Sequence, residues 1–484
     1  MGADDVWKLP GIGGELQEIY METAHVQDIR FSWVAVTGLF SVIGSRVYRT
    51  PSNNYTSQYF TVMAKTSSGK DHIIRFIDKC LVQSGLGKLF RSRELPASRQ
   101  GLVSTLKQSP SQVFIRDESG HQREASKTDP HSIGVRAAIM SVAGGQGYLA
   151  APGTSERSLK DKELEAKRKF ESPIYAPGIT YIEISTAEKL TRQLTPDDIE
   201  SGELGRFIIV TDSGKLPEIV EHDPPDIVIP DNIREYLYGI RYDPRNALTD
   251  EEARMVAKNE LWREWDKMDP VIRGIMKPTE EMIDLRLHEL QQDPKFLMND
   301  PDNPDRPPVP VTMRWEDDTL RKDLFVAKQR ELLERYYNQT GIHSKQHEHA
   351  MRLSLIYSLM DPETCEKHVI TRRYAKQALN VIDRVINSVD RLILPNIADG
   401  TYQRALNIAV QAIREGNGEM VTVDAWRTKR AWRDLEYNSK RSLMEALKND
   451  YPEIVAVDRT VGATPDELKW FKEFNKIGFI WVEP

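Results

Sequence analysis

The sequence predicts an α/β fold built on a parallel sheet, and three observations carry that prediction. Short apolar runs, "QYFTVMA", "QVFIRDE", "ITYIEIST" and "RFIIVTD", recur between residues 58 and 212. Amphipathic stretches of helical period stand between them, so strands alternate with helices as they do in sheets of parallel strands. Two of the runs also end in polar residues, "QVFIRDE" in two acids and "ITYIEIST" in two hydroxyls, which places side chains able to do chemistry at the strand ends.

Taken in order, residues 1–55 read as an N-terminal helical segment, with "GELQEIYMETAHV" amphipathic and "FSWVAVTGLFSVIGSRV" apolar over much of its surface. Residues 56–240 hold the α/β core: "QYFTVMA" is its first strand, and "DHIIRFIDKCLVQSG" is a helix ended by a glycine. From residue 241 to 397 the pattern is helical ("TDEEARMVAKNELWREWDKM", "PTEEMIDLRLHELQQD", "ITRRYAKQALNVIDRVINSVDRLIL"), with a Pro- and Asp-rich excursion near 293–311. Residues 398–484 read as helices followed by short strands, the order of a winged helix-turn-helix. No internal repeat is visible.

Composition narrows the function classes. A chain of 484 residues is expected to form several domains. Its longest apolar stretches fall short of the roughly 20 residues of a membrane helix, and "MGADDVWKLPG" has no apolar core of a secretory signal. Val6 stands where a myristoylation site needs Ser or Thr. The only cysteines, Cys80 and Cys365, supply neither a disulfide framework nor a thiolate zinc site, which suits a reducing cytoplasm. A net charge of −7 excludes a globally basic nucleic-acid coat, while leaving room for a local basic groove.

The first strand runs into "AKTSSGKD", Ala64, Lys65, Thr66, Ser67, Ser68, Gly69, Lys70 and Asp71. A phosphate-binding loop needs small residues so that backbone N–H groups surround the phosphates at a helix N-terminus, and a Lys that reaches the β- and γ-phosphates of ATP. Strand, polar turn, Gly69, Lys70 and amphipathic helix supply that context. The departure is Asp71, where Ser or Thr would hold Mg²⁺; its carboxylate either binds the ion as a hard oxygen ligand or repels the nucleotide. Further on, "SQVFIRDESG" ends a strand in Asp117 and Glu118, an acid to hold the magnesium ion followed by one to activate the attacking water. "ITYIEIST" ends in Ser185 and Thr186, which either sense the γ-phosphate or cap the following helix. Arg206 precedes the last strand; it either reaches a neighbouring subunit's nucleotide or sits in a local salt bridge.

The order of loop lysine, strand-end Asp-Glu, strand-end hydroxyl and then Arg-Phe resembles that of hexameric AAA+-type helicases. "LPGIGGELQEIYMETA…RFSWVAVTGLFSVIGSRVYR", "PGITYIEISTAEKLTRQLTPDDIESGELGRFIIVTD" and "SKQHEHAMRLSLIYSLMDPE…ITRRYAKQALNVIDRVI" resemble segments of a phage and mobile-element ATPase family. That family has long been catalogued as a domain of unknown function and is related to primase–helicases and plasmid replication proteins. The resemblance covers most of residues 8–390. It implies a RecA/AAA+-like P-loop core with a helical C-terminal lid, an ATP- and Mg²⁺-dependent motor on single-stranded or forked DNA, and a homo-hexameric ring. No zinc-binding primase module or polymerase domain is evident, so priming would need a separate protein, and the expected location is cytoplasmic. In that lid Arg352 is a candidate nucleotide-sensing arginine.

For DNA, the insert after the Asp-Glu strand offers Tyr148 for stacking and Arg157 and Lys160 for phosphates, within a stretch whose acids also allow a solvated helix. In the tail, Arg427, Lys429, Arg430 and Arg433 lie close to two tryptophans, as a recognition helix or as a protein-docking surface whose tryptophans are core. His343, His347 and His349 lack a partner set for zinc and read as helix residues. Two rivals to a helicase remain at the level of sequence: a non-catalytic initiator or loader, for which Asp71 is the argument, and a terminase-like packaging ATPase.

Overall fold

A computed structural model describes residues 5–65, 68–90, 94–117, 129–145, 147–149, 173–186, 190, 202–211, 218–219, 223–242, 250–268, 273, 277–291, 300–304, 308–335, 343–392, 401–427, 429–433, 440, 443–444, 446–448, 454–458 and 477–482. The chain is a mixed α/β protein with a four-stranded parallel sheet flanked by helices and a small antiparallel sheet near the C-terminus. It divides into two units, one of residues 1–186 with 203–383 and the other of residues 187–202 with 384–484.

In the first unit the sheet strands are β1 (Tyr59–Met63), β2 (Ser111–Arg116), β3 (Gly178–Ser185) and β4 (Phe207–Thr211), ordered β2–β3–β1–β4. Every residue of β1 and β3 is buried, as expected of parallel strands covered on both faces. The register aligns the strand ends: Met63 pairs with Ser185 and with Thr211, and Arg116 pairs with Glu183.

Helix α1 (Gly11–Thr23) leads into α2 (Ile29–Gly44), which starts where Asp28 accepts a hydrogen bond from the Arg30 amide. Fourteen of the sixteen α2 residues are buried, because α2 lies across the sheet face that bears Thr180 and Ile182. On the same side is α3 (His72–Gln83), whose Ile73, Phe76, Ile77, Cys80 and Leu81 form a buried stripe at helical spacing. The opposite face is covered by α4 (Arg99–Gln108) and α5 (Pro130–Ser141); there the Tyr59 hydroxyl donates to the Ile139 carbonyl.

Beyond the sheet come α6 (Asp231–Tyr242), the hairpin of α7 (Asp250–Lys267) and α8 (Glu280–Gln291), α9 (Ala327–Arg335), α10 (Gln346–Met360) and α11 (Arg372–Leu392). Helix α10 is buried almost throughout and packs on α2, where the Trp33 indole donates to the Tyr357 hydroxyl at 2.8 Å. Part of the Pro- and Asp-rich excursion is described, and it is anchored rather than merely exposed. Asp302 is buried against Arg241 at 2.7 Å and Lys88 at 2.8 Å.

In the second unit, α12 (Thr401–Glu415) precedes β5 (Val421–Thr422), β6 (Ile454–Asp458) and β7 (Ile477–Trp481), ordered β5–β7–β6 and antiparallel. Its core gathers Ala409, Ile413, Trp426, Trp432, Leu443 and Phe479. Among the described residues no helix is long and apolar enough to cross a membrane.

Candidate functional site at the end of the parallel sheet

The loop after β1 continues the pairing by one residue, since the Ala64 amide donates to the Ser185 carbonyl at 2.9 Å. Lys65 is exposed, whereas Ser68 is buried and its hydroxyl has no hydrogen-bond partner. Gly69 has φ +77°, in the left-handed region, and a Cβ there would lie 2.6 Å from the Val26 Cβ. Both constraints demand glycine. Gly69→Ala should destabilise the fold by about 1–3 kcal/mol in urea titration; adding Val26→Ala should not rescue it, since alanine keeps the clashing Cβ and the backbone strain stays.

Helix α3 begins at this turn, with the amides of His72 and Ile73 donating to the carbonyls of Gly69 and Lys70. The α3 N-terminus therefore faces the loop, a setting that favours anions. Asp71 is the N-cap residue, exposed, and makes no side-chain cap hydrogen bond. His72 is buried edge-on to Tyr20 and hydrogen-bonded to the Thr23 hydroxyl at 3.1 Å. Burial, reinforced by Arg75, pulls its pKa down to about 4, so it is neutral at pH 7.

Lys70 extends across β3 to Asp117, just past the end of β2, with Nζ 3.2 Å from Oδ1. The lysine side chain is 13% exposed and the aspartate 41%, so the pair lies at the surface edge of the sheet rather than in the core. Strand order makes the meeting possible: β3 stands between β1 and β2 and sets Ser185 between the loop and the acid. The Ser185 hydroxyl, like that of Ser68, is buried without a hydrogen-bond partner. Thr186 is half-buried next to it.

Arg206 ends the short turn Leu204–Arg206 before β4, at the opposite end of the sheet. Five strand residues at ~3.3 Å each put it roughly 17 Å along the strand from the loop end. That turn is held by the ion pair of Glu203 with Arg136 and by His349 of α10, whose Nε2 is 2.9 Å from the Gly205 carbonyl. His349 is fully buried, and burial lowers its pKa to about 3. Arg352 also belongs to this far end: it pairs with Glu348 at 3.2 Å and packs on Gly144, so the fold does not bring it to the loop.

Among the described residues no group of three or more His, Cys, Asp or Glu side chains could hold a metal ion, and the three histidines of the 343–349 stretch are no exception. In the tail, Arg427, Lys429 and Arg433 are exposed, and Arg427 pairs with Asp424 at 2.9 Å. The two tryptophans beside them, Trp426 and Trp432, are core. Thr66, Ser67, Glu118, Arg157 and Lys160 lie outside the described residues, and Tyr148 and Arg430 are placed only as backbone positions.

Sequence reasoning missed the part that the N-terminal lead-in plays here. Thr23 holds His72, Val26 covers Gly69, and the Arg30 guanidinium donates to the carbonyl of Thr211 at the end of β4 at 3.0 Å. No local pattern announces contacts of such long range. The site as a whole offers a lysine, a strand-end acid, two buried unpartnered hydroxyls and a helix N-terminus, a donor set that fits a polyphosphate with a hard cation. Comparison with known protein families and with curated proteins finds no match to this chain.

Proposed function

We propose that the chain is a P-loop ATPase of AAA+ type that works as a replicative DNA helicase or translocase in a ring of identical subunits. The observation that carries this reading is the Lys70–Asp117 contact of 3.2 Å, made across the strand that bears Ser185. An ion pair there is the resting form of a phosphate site, because the ammonium that now faces a carboxylate is free to turn to an anionic ligand.

In the proposed site Lys70 binds the β- and γ-phosphates, the loop amides and the Ser68 hydroxyl donate to phosphate oxygens, and Asp117 holds magnesium through a carboxylate oxygen. Ser185 contacts the terminal phosphate, and Glu118 polarises the attacking water. Bound Mg·ATP supplies the phosphoanhydride bond and the cation that neutralises charge as it develops. Arg206 lies at the wrong end of the sheet to reach its own subunit's loop, which supports action on a neighbour's nucleotide. The β5–β7–β6 order after α12 supports a winged-helix reading of the second unit, with Arg427, Lys429 and Arg433 available to a duplex.

A second reading, a loader or initiator that binds without hydrolysing, rests on Asp71. Its carboxylate stands exposed at the α3 N-terminus, where a hydroxyl would hold magnesium. Steady-state ATP hydrolysis with and without single-stranded DNA decides between the two. The motor reading expects turnover in the native protein that DNA stimulates, with Asp71→Ser changing the rate by no more than about tenfold. No native turnover, together with hydrolysis in Asp71→Ser, would instead mark a silenced site and establish the second reading.

A further inference from the structure

The small sheet of the second unit ends in an unguarded strand. Its order β5–β7–β6 pairs β6 with β7 on one side, and among the described residues no strand lies along the other. A strand in that position presents a row of N–H and C=O groups, which recognise another extended backbone. Proteins usually blunt such an edge with Lys, Pro or a bulge. Strand β6 has none of these. Its register with β7 is unbroken from Ile454 to Asp458, and four apolar residues, Ile454, Val455, Ala456 and Val457, precede its one charge.

The faces of the strand agree with its edge. An antiparallel sheet with one wet face is expected to alternate apolar residues with polar ones. Ile454 and Phe479 fill the inner face and belong to the core. Yet the outer face is apolar too: Val455 is 48% exposed, its register partner Ile480 is half-buried, and so is Val457. Such a face is what the interior of a wider sheet would show, not its margin.

The sequence of β6 selects the occupant. About Ala456 the strand reads Val-Ala-Val in both directions. A second copy laid antiparallel, with Ala456 opposite Ala456, sets Val455 opposite Val457 of the copy, and the two-fold axis repeats the pair. Aliphatic side chains then meet on the outer face and two small methyls on the inner one. Ile454 meets Asp458 only at the two ends, which keeps the association modest and reversible. Nucleic acid, by contrast, finds no cation anywhere on this strand. We propose that two copies of the chain join edge to edge through β6, merging their three-stranded sheets into one continuous antiparallel sheet. The contact is isologous and closes after two copies, unlike the head-to-tail contacts of a ring. It does not rest on the ATPase reading; where a ring also forms, it joins one ring to another.

Sedimentation equilibrium of the full-length chain without nucleotide tests this. The expected result is a mass that doubles as concentration rises over about a hundredfold range. Val455→Lys places a cation on the edge, opposite an aliphatic residue of the copy, at a position exposed enough to accept it. It should raise the dissociation constant at least tenfold, with circular dichroism and melting temperature unchanged. A covalent probe reads the register. Ala456→Cys should oxidise to a disulfide-linked dimer, because directly opposed residues of an antiparallel pair have Cα atoms about 4.5–5.5 Å apart, within disulfide reach. Val482→Cys serves as the control: residue 482 is 48% exposed but follows the central strand, three strand spacings or about 14 Å from its copy, and should not cross-link. The native Cys80 and Cys365 are buried and do not compete. No doubling at any concentration would overturn the proposal, as would doubling that Val455→Lys leaves intact. Doubling without preferential cross-linking of Ala456→Cys would overturn it too, since the copies would then meet elsewhere.

Discussion

Arg241→Met should lower the free energy of unfolding by about 3–5 kcal/mol, seen as a large drop in the urea midpoint. The Arg241 side chain is fully buried, and its guanidinium donates to the carbonyls of Ile43 and Ser45 at 2.9 and 2.8 Å, to the Ser111 hydroxyl at 2.9 Å and to Asp302 at 2.7 Å. It thereby satisfies backbone groups at the C-terminal end of α2 that no helical partner reaches, and there a cation is favoured. Methionine fills much of the space but leaves those carbonyls and Asp302 short of a donor. Burial by itself would raise the Asp302 pKa; Arg241, Lys88 and Tyr242 outweigh it and hold the carboxyl well below the usual range. Because the folded pKa lies below the unfolded one, the stabilisation is fully present above about pH 4 and is lost as pH falls toward the folded value. Native protein should therefore lose stability in acid more steeply than Asp302→Asn, measured as urea midpoint against pH.

Arg206→Ala should reduce ATP turnover by 10³-fold or more, on the order of what a trans-acting arginine contributes, while leaving nucleotide affinity nearly unchanged. The turn that carries it is fixed from two helices, through Glu203 to Arg136 and through Gly205 to His349. The backbone of the turn is thus set in place before any partner arrives, which saves ordering entropy on contact. The trans arrangement proposed for Arg206 has a signature of its own. Lys70→Ala and Arg206→Ala subunits, each inactive alone, should recover part of the turnover when mixed, because some interfaces then join an intact loop to an intact arginine. If mixing recovers nothing while the subunits still assemble, Arg206 serves only its own turn.

Much of the fold was legible in the sequence. The four strands of the parallel sheet fall on the four apolar runs, since a strand covered on both faces needs Val, Ile, Phe and Tyr in succession. Helix α3 was legible as an amphipathic helix, and α7 and α8 from the helical pattern of "TDEEARMVAKNELWREWDKM" and "PTEEMIDLRLHELQQD". Strand order was not legible, because it depends on which helices each crossover packs against. Yet that order is what brings Lys70 to Asp117 and sets Ser185 between them. Glu183 illustrates the limit well. In "ITYIEIS" it alternates with Ile182 and Ile184 like a residue on a solvated face, but α5 covers it. Asp302 is similar: "NDPDNPD" reads as a surface excursion, and only the fold supplies Arg241 and Lys88 to draw one of its acids inward.

The most direct test of the central claim is ATP hydrolysis by the purified full-length protein beside Lys70→Ala, each with and without single-stranded DNA. Lys70 meets Asp117 at the surface edge of the sheet and anchors no core, so its removal should spare the fold. The account predicts DNA-stimulated turnover in the native protein and a loss of at least 10²-fold in Lys70→Ala at an unchanged melting temperature. Turnover that survives Lys70→Ala intact would contradict it, because hydrolysis would then arise somewhere other than the loop at the end of β1.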